Sequence, residues 1–301
     1  MCNQGPLHYG TLERGTKTAS GTYILMPATI GAFSVCFGKL MHHPDTRNLP
    51  FSYLMAYGED CYLVPGRNIT TVGLYRDIKK WPKRDKRSKQ SRKSIINFDW
   101  LSPFTVGEIM QGIQILKALR EASGDNVSKY NFHDYVINAS SLRKGLKYYD
   151  IALRIFMGAV LKRAQKEGYA DEPAGVIGKG RWIDLSGLLM PESEERRLIS
   201  DIKSGSIDNI QQILDRFSEI HSRYSDYRWA WSYQMILDYY HLEKLDTAAC
   251  ERIREDYVRA RRAWIAEIRK DAEKEFAMGD VEQEVYDDFL SKLDHEIDYE
   301  N

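Results

Sequence analysis

Tyr23-Ile24-Leu25-Met26-Pro27-Ala28-Thr29-Ile30-Gly31-Ala32-Phe33-Ser34-Val35-Cys36-Phe37 is the one long apolar stretch of the chain, and its reading decides the fold. A membrane-spanning helix needs about 18–20 residues with few polar interruptions. This stretch is shorter and holds Pro27, Thr29 and Ser34. It also sits too deep to be a signal peptide, behind a polar leader with glycine turns. The runs Thr22–Leu25 and Phe33–Phe37 are β-branched and aromatic, and Gly21, Gly31 and Gly38 bound them. That punctuation predicts short buried strands and tight turns. Gly5, Gly10 and Gly15 carry it back to the N-terminus, so residues 1–66 read as β-rich. Phe51–Tyr57, Gly58-Glu59-Asp60 and Cys61–Val64 read as a hairpin that Pro65-Gly66 ends. The chain enters this region within a few residues of Met1, which predicts an unpaired edge strand. Further strands are therefore expected in front of it.

Toward the C-terminus the period changes from two to that of a helix. Asn68 is placed to cap a helix carrying Ile69, Val72, Tyr75 and Ile78, with Pro82 as its stop. A short extended piece, Ile95–Trp100, precedes a helix opened by Ser102-Pro103. Thr105 and Glu108 have capping-box spacing there, and Ile109, Ile113, Leu116 and Leu119 form its apolar stripe. Gly124-Asp125-Asn126 breaks the chain. Leu142, Leu146, Tyr149, Leu153, Phe156, Val160 and Ala164 then predict a helix ended by Gly168. Residues 170–190 read as a connection. Helices are expected from Pro191 to near Gly205, from about Asp208 to His241, from about Thr247 to Met278, and from Val281 to Leu293.

Composition limits the function classes. The chain has 301 residues, room for about two domains. Lys plus Arg and Asp plus Glu both number 43, so net charge is zero, unlike the basic excess of a dedicated nucleic-acid protein. The charges are uneven all the same: 79–93 is strongly basic and 280–300 mostly acidic. Cys2, Cys36, Cys61 and Cys250 lie too far apart for a metal or redox motif, which fits a reducing cytoplasm.

Several motifs hint at chemistry. His42-His43-Pro44-Asp45 is the most ligand-like cluster, but strand neighbours point to opposite faces, and a polar turn before Pro44 explains it as well. Asp238-Tyr239-Tyr240-His241 contains half of a di-iron pattern with no second copy. Gly175-Val176-Ile177-Gly178-Lys179-Gly180-Arg181 lacks the Gly-Lys-Ser/Thr ending of a phosphate loop and reads as a connection. Trp229 and Trp231 stand two apart on an aromatic helix and cannot share a face, so that helix is expected to be covered on two sides.

The basic segment is left with two readings. Lys79, Lys80, Lys83, Arg84, Lys86, Arg87, Lys89, Arg92 and Lys93 surround Trp81, and one acid, Asp85, interrupts them. It is either a solvated loop that meets the acidic C-terminus or an anion site. In the second reading Arg76, Lys83, Arg84 and Arg87 supply positive charge, and Asp85 orients a guanidinium.

Residues from about Gln4 to Leu119 resemble uncharacterised bacterial proteins that carry a left-handed β-helix of the trimeric hexapeptide-repeat transferase type followed by helices. Met26-Pro27-Ala28-Thr29-Ile30-Gly31, Asn48–Leu54, Trp81–Arg87 and Asn97–Val106 carry the resemblance. The helical remainder resembles a second uncharacterised domain. The resemblance implies a β-helix body, homo-oligomers and transferase chemistry on sugars or nucleotide-sugars. Ile30-Gly31 and Phe37-Gly38 are aliphatic or aromatic residues followed by glycine, but no six-residue period is sustained, which places most of a β-helix before Met1.

The sequence thus predicts an α+β chain: a β-helix end and hairpin over 1–66, a helical extension with the basic loop over 67–125, and a helical domain over 126–301. The expected function is binding of a phosphorylated sugar or nucleotide. A non-catalytic assembly module and RNA binding through the basic loop are the alternatives. No cofactor, catalytic residue or metal site is identified, no membrane contact is expected, and a cytoplasmic location is.

Overall fold

The computed structural model describes residues 8–86, 94–279 and 281–298. Strands form where glycines punctuate apolar runs, and they are short because the glycines stand close together. β1 (Gly10–Leu12), β2 (Lys17–Thr18) and β3 (Tyr23–Ile24) pair in parallel with β4 (Ala28–Ile30), β5 (Val35–Phe37) and β6 (Lys39–Leu40) respectively. β7 (Tyr53–Tyr57) lies parallel to β5 and forms the expected antiparallel hairpin with β8 (Asp60–Val64). A second hairpin, β9 (Lys129–Phe132) and β10 (Tyr135–Asn138), joins β8 in parallel. The result is a six-stranded mixed sheet ordered β2-β5-β7-β8-β10-β9, with separate two-stranded sheets β1-β4 and β3-β6.

The α+β class holds, but the left-handed β-helix does not. The strands are gathered into several small sheets, the largest of mixed direction, with no run of hexapeptide coils among the described residues. Two antiparallel hairpins complete the large sheet, a pairing that regular parallel coils do not contain.

By contact density the chain falls into two compact units. The first comprises 1–77, 108–153 and 259–301; the second comprises 78–107 and 154–258. In the first unit, Ile30, Leu40, Leu49, Leu54 and Leu63 are fully buried. Phe33 and Phe51 stand at left-handed backbone corners, with φ of 54° and 58°, and their rings stack 5.1 Å apart. A side chain bent this way costs about 1–2 kcal/mol, which the buried stacked pair offsets. Gly15 occupies a third such corner because a Cβ there would lie 2.2 Å from the Phe33 ring.

Asn68 does not cap the helix that follows. Its amide donates to the Phe33 carbonyl at 2.6 Å, and a short 3-10 turn, Arg67–Thr70, intervenes. The cap is Thr71, whose Oγ1 accepts from the Leu74 N–H at 3.1 Å, and α1 runs Val72–Arg84. Pro82 lies inside α1 instead of ending it. Proline removes one N–H donor from the ladder, yet Lys83 and Arg84 keep helical geometry beyond it.

The later helices are α2 (Pro103–Ser123), α3 (Ala139–Glu167), α4 (Glu192–Ser204), α5 (Ile210–Ser222), α6 (Tyr224–Tyr240), α7 (Thr247–Met278) and α8 (Gln283–Asp298). Ser102 opens α2 by exchanging bonds with Thr105, so the reciprocal pair is Ser102–Thr105 and not Thr105–Glu108. Gly168 ends α3 with φ 77°, and the Tyr169 N–H reaches the Ala164 carbonyl at 3.0 Å, a Schellman closure. The stretch 170–190 is not merely a connection, because it contains most of a hairpin, β11 (Trp182–Leu185) and β12 (Leu188–Pro191). Its turn is Ser186-Gly187, both with positive φ, as two-residue hairpin turns of the primed type require.

Three bonds fix α7 against the start of α1 within the first unit. Trp264 Nε1 donates to the Ile69 carbonyl at 2.7 Å. Asp271 accepts from the Val72 N–H at 3.0 Å and holds Arg67 through its other oxygen. One carboxylate therefore satisfies a helix-end donor and a guanidinium together. Asp271→Ala should lower the free energy of unfolding by about 2 kcal/mol, the loss of a cap and a charge-assisted bond. Asp271→Asn should recover part of this, because the amide oxygen still accepts from Val72. Urea titration of the three proteins measures both effects.

Candidate functional site

All the buried positions of α1, Val72, Leu74 and Tyr75, lie in its first half. From Lys79 the helix is built of long cationic side chains that favour helix but have no apolar face to bury. Lys83 and Arg84 stand in its last turn, where the negative end of the helix dipole favours cations by about 0.3–1 kcal/mol each. Trp81 is 48% exposed. Lys80 Nζ lies 5.3 Å and Arg84 Cζ 5.4 Å from its ring centroid, within cation–π range.

Of the residues read as ligand-binding, the structure brings Lys83, Arg84 and Asp85 together at the end of α1, where Asp85 directly follows the helix. Arg84 rests on the indole, its Cζ 5.4 Å from the ring centroid. Arg87 lies outside the described residues. Arg76 belongs to the first unit, where its charge opposes the upward shift that burial and Asp271 impose on the Glu275 carboxyl. Sequence reading noticed Trp81 but gave it no role; an aromatic inside a basic run was the available signal.

Lys83, Arg84 and Lys86 stand close together in sequence at this helix end. Several arginines elsewhere have a carboxylate close by: Arg67 with Asp271, Arg216 with Glu194 at 2.9 Å, Arg228 with Asp99 at 2.9 Å, Arg261 with Glu296 at 3.1 Å. The acidic helix α8 is engaged within its own unit through Arg261–Glu296 and Arg269–Asp294. Lys83, Arg84 and Lys86 have no carboxylate within ion-pair distance among the described residues.

The other motifs resolve into packing. His43 Nδ1 meets the Pro27 carbonyl at 3.2 Å, and His42 Nδ1 is 4.0 Å from Asp134. Among the described residues no group of three or more His, Cys, Asp or Glu side chains is placed to hold a metal. Asp238 accepts from Gln234, and His241 is the left-handed C-cap of α6. Gly178 packs so closely on α6 that a Cβ would lie 2.4 Å from the Tyr227 carbonyl, and Trp182 Nε1 donates to its oxygen. That glycine serves contact, not phosphate. Burial pushes the Cys36 thiol up to about 12 and raises Cys61 and Cys250 as well, which disfavours the thiolate a nucleophile needs.

The expected long aromatic helix is two, broken at Arg223, and α6 is buried on several sides as its tryptophan spacing requires. The extended piece 95–100 is anchored across the break. Asn97 bonds backbone groups of the β11–β12 hairpin and reaches His221 Nδ1 at 3.4 Å. Asp99 accepts from Tyr224 and Arg228, each at 2.9 Å.

Residues 1–120 are similar to a domain of unknown function, DUF4954, and residues 170–300 to a second, DUF6819. No curated protein and no solved structure matches the chain. With the sheets described above, these two matches overturn the resemblance to hexapeptide-repeat transferases, and no transferase chemistry is carried over from it. None of the described helices is long and apolar enough to cross a membrane.

The His221 contact carries a pH dependence. Burial holds its imidazole below the ordinary 6.5. The unfolded chain therefore takes up the proton first, and stability is complete above about pH 6.5 and falls as pH drops through the lower folded value. The melting temperature should decline as the pH falls below about 6.5, and His221→Gln should flatten that decline. Thermal melts across this range, monitored by far-ultraviolet circular dichroism, check it.

Proposed function

We propose that the chain binds an anionic ligand, a phosphorylated sugar or nucleotide, through the basic end of α1. The observation that carries this reading is the set Lys83, Arg84 and Lys86, adjacent cations that lack acidic partners among the described residues. Uncompensated cations this close repel one another, and a phosphate relieves that repulsion while accepting charge-assisted bonds. The dipole opposes an anion at a helix C-terminus, but only with about half a unit charge. Lys80, Lys83, Arg84 and Lys86 outweigh it even after Asp85 is subtracted. The free thiols Cys36, Cys61 and Cys250 support a cytoplasmic setting for such a ligand.

Inorganic tripolyphosphate should raise the melting temperature of the full chain at low ionic strength. Lys83→Ala with Arg84→Ala should remove the shift, and Arg84→Lys should restore only part, because an ammonium lacks the planar fork. An unchanged shift in the double variant would place the anion elsewhere. RNA binding would show instead as a steep fall of affinity with salt to which every lysine of the run contributes alike.

A further inference from the structure

We infer that the ligand at the end of α1 carries a planar nucleobase, and that Trp81 is the surface on which the base stacks. This rests on the anion-binding reading above and deepens it by choosing the nucleotide over the sugar phosphate. The site offers two kinds of surface side by side. One is charge without acidic partners: Lys83, Arg84 and Lys86. The other is flat: the indole of Trp81, 48% exposed, with the Arg84 guanidinium 5.4 Å from its centroid. Tryptophan is rarely left so open, because its large ring gains from burial. Here the ring lies in the polar half of α1, where Lys80 and Arg84 approach it and it stays 48% exposed.

A nucleobase offers a planar π face to both the indole and the guanidinium, whereas a sugar ring offers only C–H groups, and base–aromatic stacking is tolerant of base identity. Arginine stacks on aromatic faces and also donates to phosphate, so Arg84 can serve both halves of one nucleotide. Lys80 Nζ, 5.3 Å from the same centroid, adds charge at the ring. The same chemistry, a base joined to phosphate, is offered by a free nucleotide and by single-stranded RNA.

The test compares ligands of equal phosphate charge on the full chain by isothermal titration calorimetry at low ionic strength: AMP, glucose 6-phosphate and inorganic phosphate. Tripolyphosphate serves as the base-free control for anion binding. AMP is expected to bind about ten-fold tighter than glucose 6-phosphate or phosphate, a ratio within what stacking one base supplies. Trp81→Leu should bring AMP down to the phosphate level, Trp81→Phe should keep most of the advantage, and tripolyphosphate should bind all three proteins alike. AMP no tighter than phosphate in the unaltered chain, or Trp81→Leu weakening AMP and tripolyphosphate equally, would overturn the inference while anion binding stood. Failure of tripolyphosphate itself to bind would overturn the underlying reading and this one with it. A ten-nucleotide oligouridylate compared with UMP identifies the source. Tighter binding of the strand, lost in Trp81→Leu, assigns the base to RNA; equal affinity with the same loss assigns it to a free nucleotide.

Discussion

One carboxylate, Asp271, decides where α1 begins. The first N–H groups of a helix have no partner inside it, and α1 starts directly after a 3-10 turn in a buried part of the first unit. Thr71 satisfies one donor and Asp271, from the long α7, satisfies another while holding Arg67. Trp264, two turns earlier on α7, donates to the carbonyl of Ile69. With these bonds made, the helix is nucleated, and the costly step of helix formation is past. The polar half that follows needs only propagation, for which lysine and arginine are well suited. A segment too polar to bury anything is in this way held in helical order up to Arg84.

The consequence is a contrast in how charge is used. Several arginine ion pairs join elements within a unit: Arg67 to α7, Arg216 to α4, Arg228 to the 95–100 segment, Arg261 to α8. Partly buried guanidinium–carboxylate pairs fix geometry more than they add stability. At the end of α1 Arg84 is matched with an aromatic ring instead of an acid. Charge spent internally cannot recognise a ligand; charge left on an exposed helix end can.

Much of the architecture was legible because it rests on local chemistry. Glycine spacing marked the strands before residue 40, Gly58 marked the β7–β8 turn, Gly168 and Gly205 marked helix ends, and the apolar spacing of α7 set its bounds at Thr247 and Met278. The β11–β12 hairpin was also written locally, in Ser186-Gly187 between two apolar runs, but nearby glycines made the whole stretch resemble a loop. Other features had no local sign. Neither glycine nor proline marks the break between α5 and α6 at Arg223. Asn97 and Asp99 reach residues on both sides of that break from more than a hundred positions away in sequence, so tertiary bonds hold it. Asp271 as the cap of α1 was equally illegible, since it lies 199 residues from Val72. Of the candidate site, the cations and Trp81 could be read from the sequence. Their matching to each other, and the pairing of the acidic C-terminal helix with α7, could not.

The account stands or falls on whether the second half of α1 is where an anion lands. Hydrogen–deuterium exchange of the full chain with and without saturating tripolyphosphate measures this directly, peptide by peptide. Slower exchange concentrated in residues 78–86, with strands β5 and β7 unchanged, is expected. Protection confined to any other segment, or none at a concentration that shifts the melt, would contradict it.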